Sequence, residues 1–286
     1  MTQSMPRSEL TGFSALRWLA EAGADEAVGE QPLNRFRPAP AARPPRMPEP
    51  GAAFKPRAAP LIPPAAAPQS PVPGGEDAIG QAIAAAAAST TLLQLKAAVE
   101  AFEGCALKRN ATNTVFADGT PAHRIMFIGE APGKEEDAAG LPFVGRAGRL
   151  LDKMLAAIGL DRKRNAYITN VLNWRPPNNR DPSPEEAAAC LPFLRRHIEL
   201  VDPGIIILLG AVAARHVMGK TEGIMRLRGN WQEYYVGGRM VPVMPTLHPA
   251  YLLRRPIDKR LAWRDLQAIA GKVDTLGLLE PRGGAR

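Results

Sequence analysis

The sequence predicts an α/β fold of three layers, α/β/α, around a central, mostly parallel sheet of four strands. Four apolar runs lead to this prediction: RIMFIGE, AYITNVL, GIIILLG and MVPVMPTLHP. Runs without polar alternation are typical of strands buried on both faces. Segments with helical spacing lie between them, and strands that alternate with helices form parallel sheets. The chain has 286 residues, of which 45% are apolar, enough for one sizeable core.

The first 30 residues predict a short helical segment. One face carries four apolar residues at helical spacing, and a glycine stops the pattern: Leu10, Phe13, Leu16, Leu19 and then Gly23. Two interpretations stay open for this helix. It is a peptide that docks on an unknown partner protein, or it packs on the core of its own chain.

Residues 31–80 predict a disordered linker. Proline and alanine dominate this stretch, which has scattered arginine and lysine and few aromatic residues. Such a composition buries too little apolar surface to offset the entropy lost on ordering. The globular domain is therefore expected over residues 81–275, with a flexible tail over 276–286.

Within the domain, the first predicted helix runs from Ala78 to Phe102 and precedes the strand RIMFIGE. A Gly-rich loop follows, and AGRLLDKMLAAIGL then has apolar residues at helical spacing and ends at Gly159. The next strand, AYITNVL, leads into a Pro-rich loop.

Ser183 predicts the start of the next helix through a capping box, with Pro184 at the first helical position. The remaining elements are a buried strand, a short helix, a last strand and a final helix: GIIILLG, AVAARHVMG, MVPVMPTLHP and the segment containing AWRDLQAIAGKV.

Charge and cysteine content limit the function classes. The chain has 36 basic and 28 acidic residues, a formal net charge of +8, which suggests an anionic partner such as nucleic acid. The sequence has no apolar stretch of membrane-spanning length and no secretory signal pattern, so we expect a cytoplasmic protein. Its two cysteines cannot form a disulfide framework.

Three loops follow the carboxyl ends of predicted strands: GEAPGKEEDAAGLPFVG, TNVLNWRPPNNR and TLHPAYLLRRP. In a parallel sheet they open at the same edge, where ligands bind. Together they offer an aromatic ring (Phe143), an amide (Asn170), an imidazole (His248), several carboxylates and many arginines. A ring stacks on a base, an amide reads its edge, and an imidazole donates to an oxygen that gains negative charge. These groups suit a site that holds a planar base and breaks its bond to a sugar.

With these motifs the chain resembles the family 4 uracil-DNA glycosylases of bacteria and archaea. The motifs GEAPG, GLPFVGRAG, YITNV, RPPNNR and TLHPAYLL occur in the order of that family, over roughly residues 102–270. The resemblance implies a monofunctional enzyme that flips uracil out of single- or double-stranded DNA and leaves an abasic site for base excision repair. It also implies a monomer.

The resemblance assigns roles to loop residues. It implies that Gly129, Glu130 and Ala131 line the water and the base, that Phe143 stacks on uracil, that Asn170 pairs with its edge, and that His248 contacts O2. The better-known family 1 enzymes have a catalytic aspartate at the position of Ala131. Glu130 is therefore our first choice for activating water and Asp137 the second. Glu136 is placed to exclude the C5 methyl group of thymine.

DNA contacts are expected from two loops. Arg175, Asn179 and Arg180 lie in a Pro-rich loop suited to phosphates. The candidates for gripping phosphate or filling the gap left by the flipped nucleotide follow His248: Leu252, Leu253, Arg254 and Arg255.

One feature departs from the family. Its members generally hold a [4Fe-4S] cluster with four cysteines, of which this chain has Cys105 and Cys190, while Phe102 and Trp174 stand at the other two positions. Two thiolates do not make the usual site. We therefore predict no metal and no cofactor.

Two other functions fit the same residues. Ala131 and the missing cysteines are compatible with a module that binds uracil or abasic DNA with little or no catalysis. A more remote alternative is a protein that acts on free nucleotides.

Overall fold

The computed structural model describes residues 76–279. The predicted N-terminal helix and nearly all of the predicted linker lie outside this range. The described chain begins with helices α1 (Glu76–Ala88) and α2 (Leu92–Ala101) and a short 3-10 turn, and then enters the sheet through strands β1 (Ala117–Gly119) and β2 (Ile125–Gly129).

The second part of the chain contains the strands and helices that the sequence predicts, together with three short helices and one strand that it did not predict. The elements are α3 (Lys134–Ala139), α4 (Arg146–Ala156), β3 (Tyr167–Asn170), α5 (Pro184–Val201), β4 (Ile205–Leu209), α6 (Ala211–Met218), α7 (Ile224–Leu227), β5 (Gln232–Val236), β6 (Arg239–Thr246), α8 (Pro249–Arg254) and α9 (Lys259–Thr275).

The sheet has six strands in the order β1-β3-β2-β4-β6-β5. The central four are parallel, and they are the four strands that the sequence predicts. The prediction of four strands was wrong in number, because β1 and β5 add antiparallel strands at the two edges. β1 has only three residues, and β5 alternates exposed and less exposed positions, so neither is an apolar run.

Alternate residues of the central strands enter two separate hydrophobic clusters. Met126 and Ile128 of β2 face one cluster, with residues of α1, α2, α5 and α6. Ile125 and Phe127 face the other, with residues of α4, α8 and α9. The period of two along a strand thus produces the predicted three layers.

The structure departs from the predicted boundaries at three places. The single helix predicted from Ala78 to Phe102 is two helices, because the Thr91 side chain accepts from Gln94 N–H and starts α2. Residues 76–80, predicted as the end of the linker, belong to α1. Residues 276–279, predicted as the start of the tail, follow α9 in the described range, where Leu278 is buried and its carbonyl lies 2.9 Å from His123 Nδ1.

The predicted start of α5 is confirmed. The Ser183 side chain accepts from Glu186 N–H at 3.2 Å, and the Glu186 carboxylate accepts from Ser183 N–H at 2.8 Å. This capping box fixes the end of the Pro-rich loop that precedes it. Between residues 76 and 279, no helix is both long and apolar enough to cross a membrane.

Candidate active site

A cleft of about 490 Å³ opens beyond the carboxyl ends of the parallel strands. It is lined by all three of the loops that the sequence singles out. Nine predicted site residues meet there: Glu130, Ala131, Glu136, Phe143, Asn170, Asn179, Arg180, His248 and Arg254. Six others do not line it: Gly129, Asp137, Arg175, Leu252, Leu253 and Arg255.

Gly129 forms the support behind the cleft. It ends β2 and pairs in register with Asn170, the last residue of β3. A Cβ atom at Gly129 would lie 2.4 Å from Asn170 Oδ1 and 2.5 Å from Phe143 Cζ. Only glycine therefore lets the amide and the aromatic ring approach each other over this backbone.

The Asn170 side chain has an unsatisfied acceptor. The residue is 3% exposed, and its Oδ1 atom has no hydrogen-bond partner among the described residues. A buried acceptor without a partner costs about 1–3 kcal/mol, and such exceptions are typical of functional sites. Because Asn170 lines the cleft, a ligand with an N–H group can satisfy this oxygen.

His248 enters the cleft with a defined proton. Its Nδ1 atom accepts from Ala250 N–H at 3.1 Å, where His248 caps the start of α8. Nδ1 is therefore unprotonated, and Nε2 carries the proton. Burial, with a smaller contribution from Arg254, lowers the pKa of His248 to about 4. At neutral pH the ring is an uncharged Nε2–H donor, with its centroid 5.5 Å from that of Phe143.

Glu130 supplies a carboxylate at the cleft wall. Burial raises its pKa above the usual value, and the negative charge of Asp181 raises it further. Arg215 and Arg254 act in the opposite direction. A partly desolvated carboxylate with a raised pKa is suited to accept a proton near neutral pH.

The other acidic residues of this loop act on the backbone. Glu136 accepts from Val144 N–H at 3.0 Å, Gly145 N–H at 2.9 Å and Gly133 N–H at 3.1 Å. Asp137 is buried outside the cleft, where it accepts from the amides of residues 112 and 113 at 2.8 and 3.2 Å. The structure thus contradicts Asp137 as an activator of water, because its carboxylate is committed to another loop.

The basic residues predicted to contact DNA differ in the hydrogen bonds and ion pairs that they already make within the protein. Arg180 pairs with Glu186 at 2.8 and 2.5 Å. Arg175 donates to Asn179 Oδ1 at 2.8 Å. Arg254 and Arg255 are exposed, and Arg255 donates to Asp258 at 3.2 Å.

The structure corrects one candidate for filling the DNA gap. Leu252 is 1% exposed and packs in the hydrophobic cluster beside α9, so it is not available to DNA in this conformation. Leu253 is partly buried. Ile257, which the sequence did not indicate, is the residue of this segment with an exposed large apolar side chain, at 63% exposure.

Two further cleft residues were missed from the sequence. Asp181, in the motif NNRDP, lies close enough to Glu130 to raise its pKa. Tyr251 lines the cleft and donates to Asp258 at 2.7 Å. Tyr251 lies in the motif TLHPAYLL, and Asp181 directly follows the motif RPPNNR, so their positions in or beside these motifs were the available signal.

The region to which the family resemblance assigns an iron–sulfur cluster contains packed aromatic side chains. Phe102 stacks on Trp174 with centroids 6.5 Å apart and contacts Phe193 edge-on at 5.0 Å. Cys105 and Cys190 are buried beside them, and a hydrogen bond between the two thiols lowers the pKa of Cys105 and raises that of Cys190. No three metal-ligating side chains come together among residues 76–279. These residues do not fit a four-cysteine cluster.

Comparison with known proteins agrees with this arrangement. The family model described as "Uracil DNA glycosylase superfamily" matches residues 116–267. The chain is 46% identical over 166 residues to the type 4 uracil-DNA glycosylase of Thermotoga maritima, an alignment that covers 57% of this chain and 84% of the relative.

Two other relatives are also type 4 uracil-DNA glycosylases. The type 4 uracil-DNA glycosylase of Archaeoglobus fulgidus is 46% identical over 156 residues, which cover 53% of this chain and 78% of that protein. The corresponding enzyme of Sulfurisphaera tokodaii is 39% identical over 184 residues, covering 63% and 83%.

Proposed function

Since the chain belongs to the uracil-DNA glycosylase superfamily, and within it to the type 4 enzymes, we propose that it excises uracil from DNA by hydrolysing the bond between the base and deoxyribose. The observation that carries this proposal is the unsatisfied Asn170 amide in a cleft shared with Phe143 and a neutral His248. The reaction leaves an abasic site, which base excision repair then processes.

Uracil fits the three groups of the cleft. Its edge presents an N3–H donor between two carbonyl acceptors, and an asparagine amide has one acceptor and one donor. Asn170 Oδ1 accepts from N3–H while its NH₂ group donates to O4. The base stacks on Phe143, and a flipped nucleotide brings O2 to His248 Nε2–H. Cytosine has no N3–H, so it leaves Asn170 Oδ1 unsatisfied.

The chemical step separates charge. When the C1′–N1 bond breaks, its electron pair stays on uracil and spreads to O2, where the His248 N–H donates. The sugar becomes positively charged and is attacked by water, whose proton passes to Glu130. A neutral donor suits this task because its hydrogen bond strengthens as the oxygen becomes anionic. No side-chain nucleophile takes part, so the strand is not cut.

The pH dependence of uracil excision should reflect the ionisation of the Glu130 carboxyl group. A general base acts when it is ionised, and burial raises the pKa of Glu130. We expect the single-turnover rate to fall as the pH drops through this raised pKa. His248 does not cause that fall, because its own pKa is lowered to about 4.

Two variants test this assignment. Glu130→Gln should lower the rate by about 10²-fold at pH 7 and abolish the acid limb. Asp181→Asn should keep the limb but move it to lower pH, since Asp181 raises the pKa of Glu130. A limb that persists unchanged in Glu130→Gln would contradict the role of Glu130.

The proposed DNA contacts are electrostatic. Arg175, Asn179 and Arg180 face one side of the substrate, and Arg254 and Arg255 the other; Arg180 must exchange its Glu186 partner for a phosphate. Ile257 joins Leu253 and the two arginines as a candidate for filling the gap left by the flipped nucleotide, and Glu136 retains its proposed role against thymine. Phosphate contacts predict affinity that falls steeply with salt for single- and double-stranded DNA.

We propose further that the chain acts without an iron–sulfur cluster. Phe102 and Trp174, which stand at two of the four ligand positions, stack on each other, and Phe102 also contacts Phe193. Protein purified under anaerobic conditions is expected to be colourless and to contain no stoichiometric iron by elemental analysis. About four iron atoms per chain would contradict this prediction.

Three further proposals concern the oligomeric state of the protein, its location in the cell and its N-terminal segments. We propose that the glycosylase domain acts as a monomer in the cytoplasm, that residues 1–30 are a docking helix and that residues 31–75 are a tether. Size-exclusion chromatography with light scattering tests the monomer, and affinity capture with residues 1–30 tests the docking.

Ala131 favours a second candidate, a module that binds uracil or abasic DNA with little turnover, because it replaces the aspartate of the better-known enzymes. An end-labelled oligonucleotide with one uracil separates the two functions. Incubation under single-turnover conditions should give strand cleavage only after alkali, and none with thymine in place of uracil. Salt-sensitive binding without alkali-revealed cleavage would leave the binding module.

A further inference from the structure

The stacking residue Phe143 has an unusual backbone conformation. Its φ angle is +54°, in the left-handed region that bulky side chains rarely adopt. The turn also lies directly on α4, because a Cβ atom at Gly148 would be 1.7 Å from the carbonyl oxygen of Phe143. A conformation of this kind persists only where the surroundings hold it in place.

Two ionised side chains hold the four residues of this turn. Arg162 donates to the carbonyl of Pro142 at 3.1 Å and to that of Phe143 at 2.8 Å. Glu136 accepts from the next two amides, Val144 N–H and Gly145 N–H. The two carbonyls and the two amides that follow Leu141 are therefore all bound by charged groups, and hydrogen bonds to charged groups are stronger than neutral ones.

Arg162 is itself fixed by the fold. Its guanidinium pairs with Asp118 of β1 at 2.9 Å and with Asp152 of α4 at 2.7 Å, and the side chain is only 12% exposed. Arginine presents its donors in a rigid planar fork, so two carboxylates and two carbonyls define its position. The guanidinium thus connects the edge strand and α4 to the turn that carries the ring.

We propose that Arg162 is a positioning residue for uracil excision: its guanidinium, together with the Glu136 carboxylate, fixes the left-handed turn that sets the plane of the Phe143 ring. This inference rests on the proposed function and adds residues behind the cleft to it. Arg162 does not line the cleft, so it acts on the base through Phe143. Without the Arg162 guanidinium, the turn can relax. The Phe143 ring then no longer faces a base that is bound by Asn170 and His248.

A double-mutant cycle tests the proposal. Arg162→Gln is expected to lower the single-turnover rate by about 10- to 10²-fold, because small displacements of a positioning group cost rate steeply. In a Phe143→Ala background the same substitution should change the rate by less than about threefold, since residues that act through one another are not additive. Equal effects in both backgrounds would overturn the proposal and leave Arg162 as a general stabilising residue.

Arg164→Gln is the matched control. Arg164 lies on the same turn and is exposed, so its substitution removes the same charge without touching the Phe143 loop. It should leave the rate unchanged. The affinity for DNA with an uncleavable abasic analogue should also stay unchanged in Arg162→Gln, whereas inhibition by free uracil should weaken. Unchanged inhibition by uracil would contradict a role in setting the ring.

If Arg162→Gln does not fold, the variant Arg162→Lys provides a second test. Lysine keeps the positive charge for Asp118 and Asp152 but lacks the planar fork that reaches both carbonyls. We expect an intermediate loss of rate that again disappears in the Phe143→Ala background. If the wild-type protein does not excise uracil, the proposed function is wrong. If the wild-type protein is active but the Arg162 and Phe143 substitutions have additive effects on the rate, only the proposed role of Arg162 is wrong.

Discussion

Replacing His248 with alanine is expected to lower the single-turnover rate of uracil excision by about 10²- to 10³-fold, the usual cost of removing one donor from a developing oxyanion. The donor is well defined, because Nδ1 accepts from Ala250 N–H and leaves the proton on Nε2. The measurement is alkali-revealed cleavage of a uracil oligonucleotide at saturating enzyme.

Two comparisons make the His248 result specific. His216→Ala removes a histidine that does not line the cleft, so it should keep the wild-type rate. Binding of abasic-analogue DNA by His248→Ala should stay within a few-fold of wild type, because phosphate contacts dominate affinity. Loss of binding in parallel with loss of rate would show that His248 supports the loop rather than the transition state.

Replacing Asn170 with alanine should also cost about 10²-fold in rate, because two hydrogen bonds to the uracil edge are lost. Stability should change little, since the Asn170 Oδ1 atom makes no hydrogen bond within the described residues that the substitution would break. Single-turnover rates and urea unfolding of the same preparation measure the two effects.

Asn179→Ala serves as the control for Asn170. Asn179 also lines the cleft but is exposed, and its Oδ1 atom accepts from Arg175 at 2.8 Å. Its substitution should weaken DNA binding more than it slows the chemical step. If Asn170→Ala proved strongly destabilised and only as slow as its unfolded fraction requires, Asn170 would be structural and the base-reading role would be wrong.

The central sheet could be predicted because burial on both faces dictates composition. Strands β2 and β4 are apolar throughout, and β3 and β6 are largely apolar before polar residues at their carboxyl ends, so each is visible in the sequence as a run without polar alternation. The edge strands follow other rules. β5 has a half-exposed pattern, and its best signal is the Gly237–Gly238 turn to β6, in which both residues have positive φ. This two-residue hairpin signal was present in the sequence and was missed.

The sequence was enough to predict which loops form the site. It was not enough to predict in which direction each side chain of those loops points. Neighbouring residues of a helical turn point about 100° apart, so the sequence could not show that Glu136 binds the Phe143 turn while Asp137 binds residues 112 and 113. The same holds for α8, where packing in the hydrophobic cluster that it shares with α4 buries Leu252. Which residue of such a segment faces DNA depends on tertiary contacts.

The conformation of Phe143 had no sequence signal. A phenylalanine with positive φ is rare, and the Arg162 and Glu136 contacts that hold it come from distant or separate elements. Long-range support of this kind is a property of the assembled fold. For this reason the motif GLPFVG was enough to predict that Phe143 stacks on the base, whereas the residues that hold its backbone could not be predicted.

The proposed reaction is hydrolysis of the bond between uracil and deoxyribose in DNA. The most direct test is mass spectrometry of the intact oligonucleotide after incubation with the protein, together with assay of the free base. We predict an uncut strand that has exchanged uracil for a hydroxyl group, with one equivalent of free uracil released. A strand of unchanged mass, or one cut or covalently attached to the protein, would contradict the account.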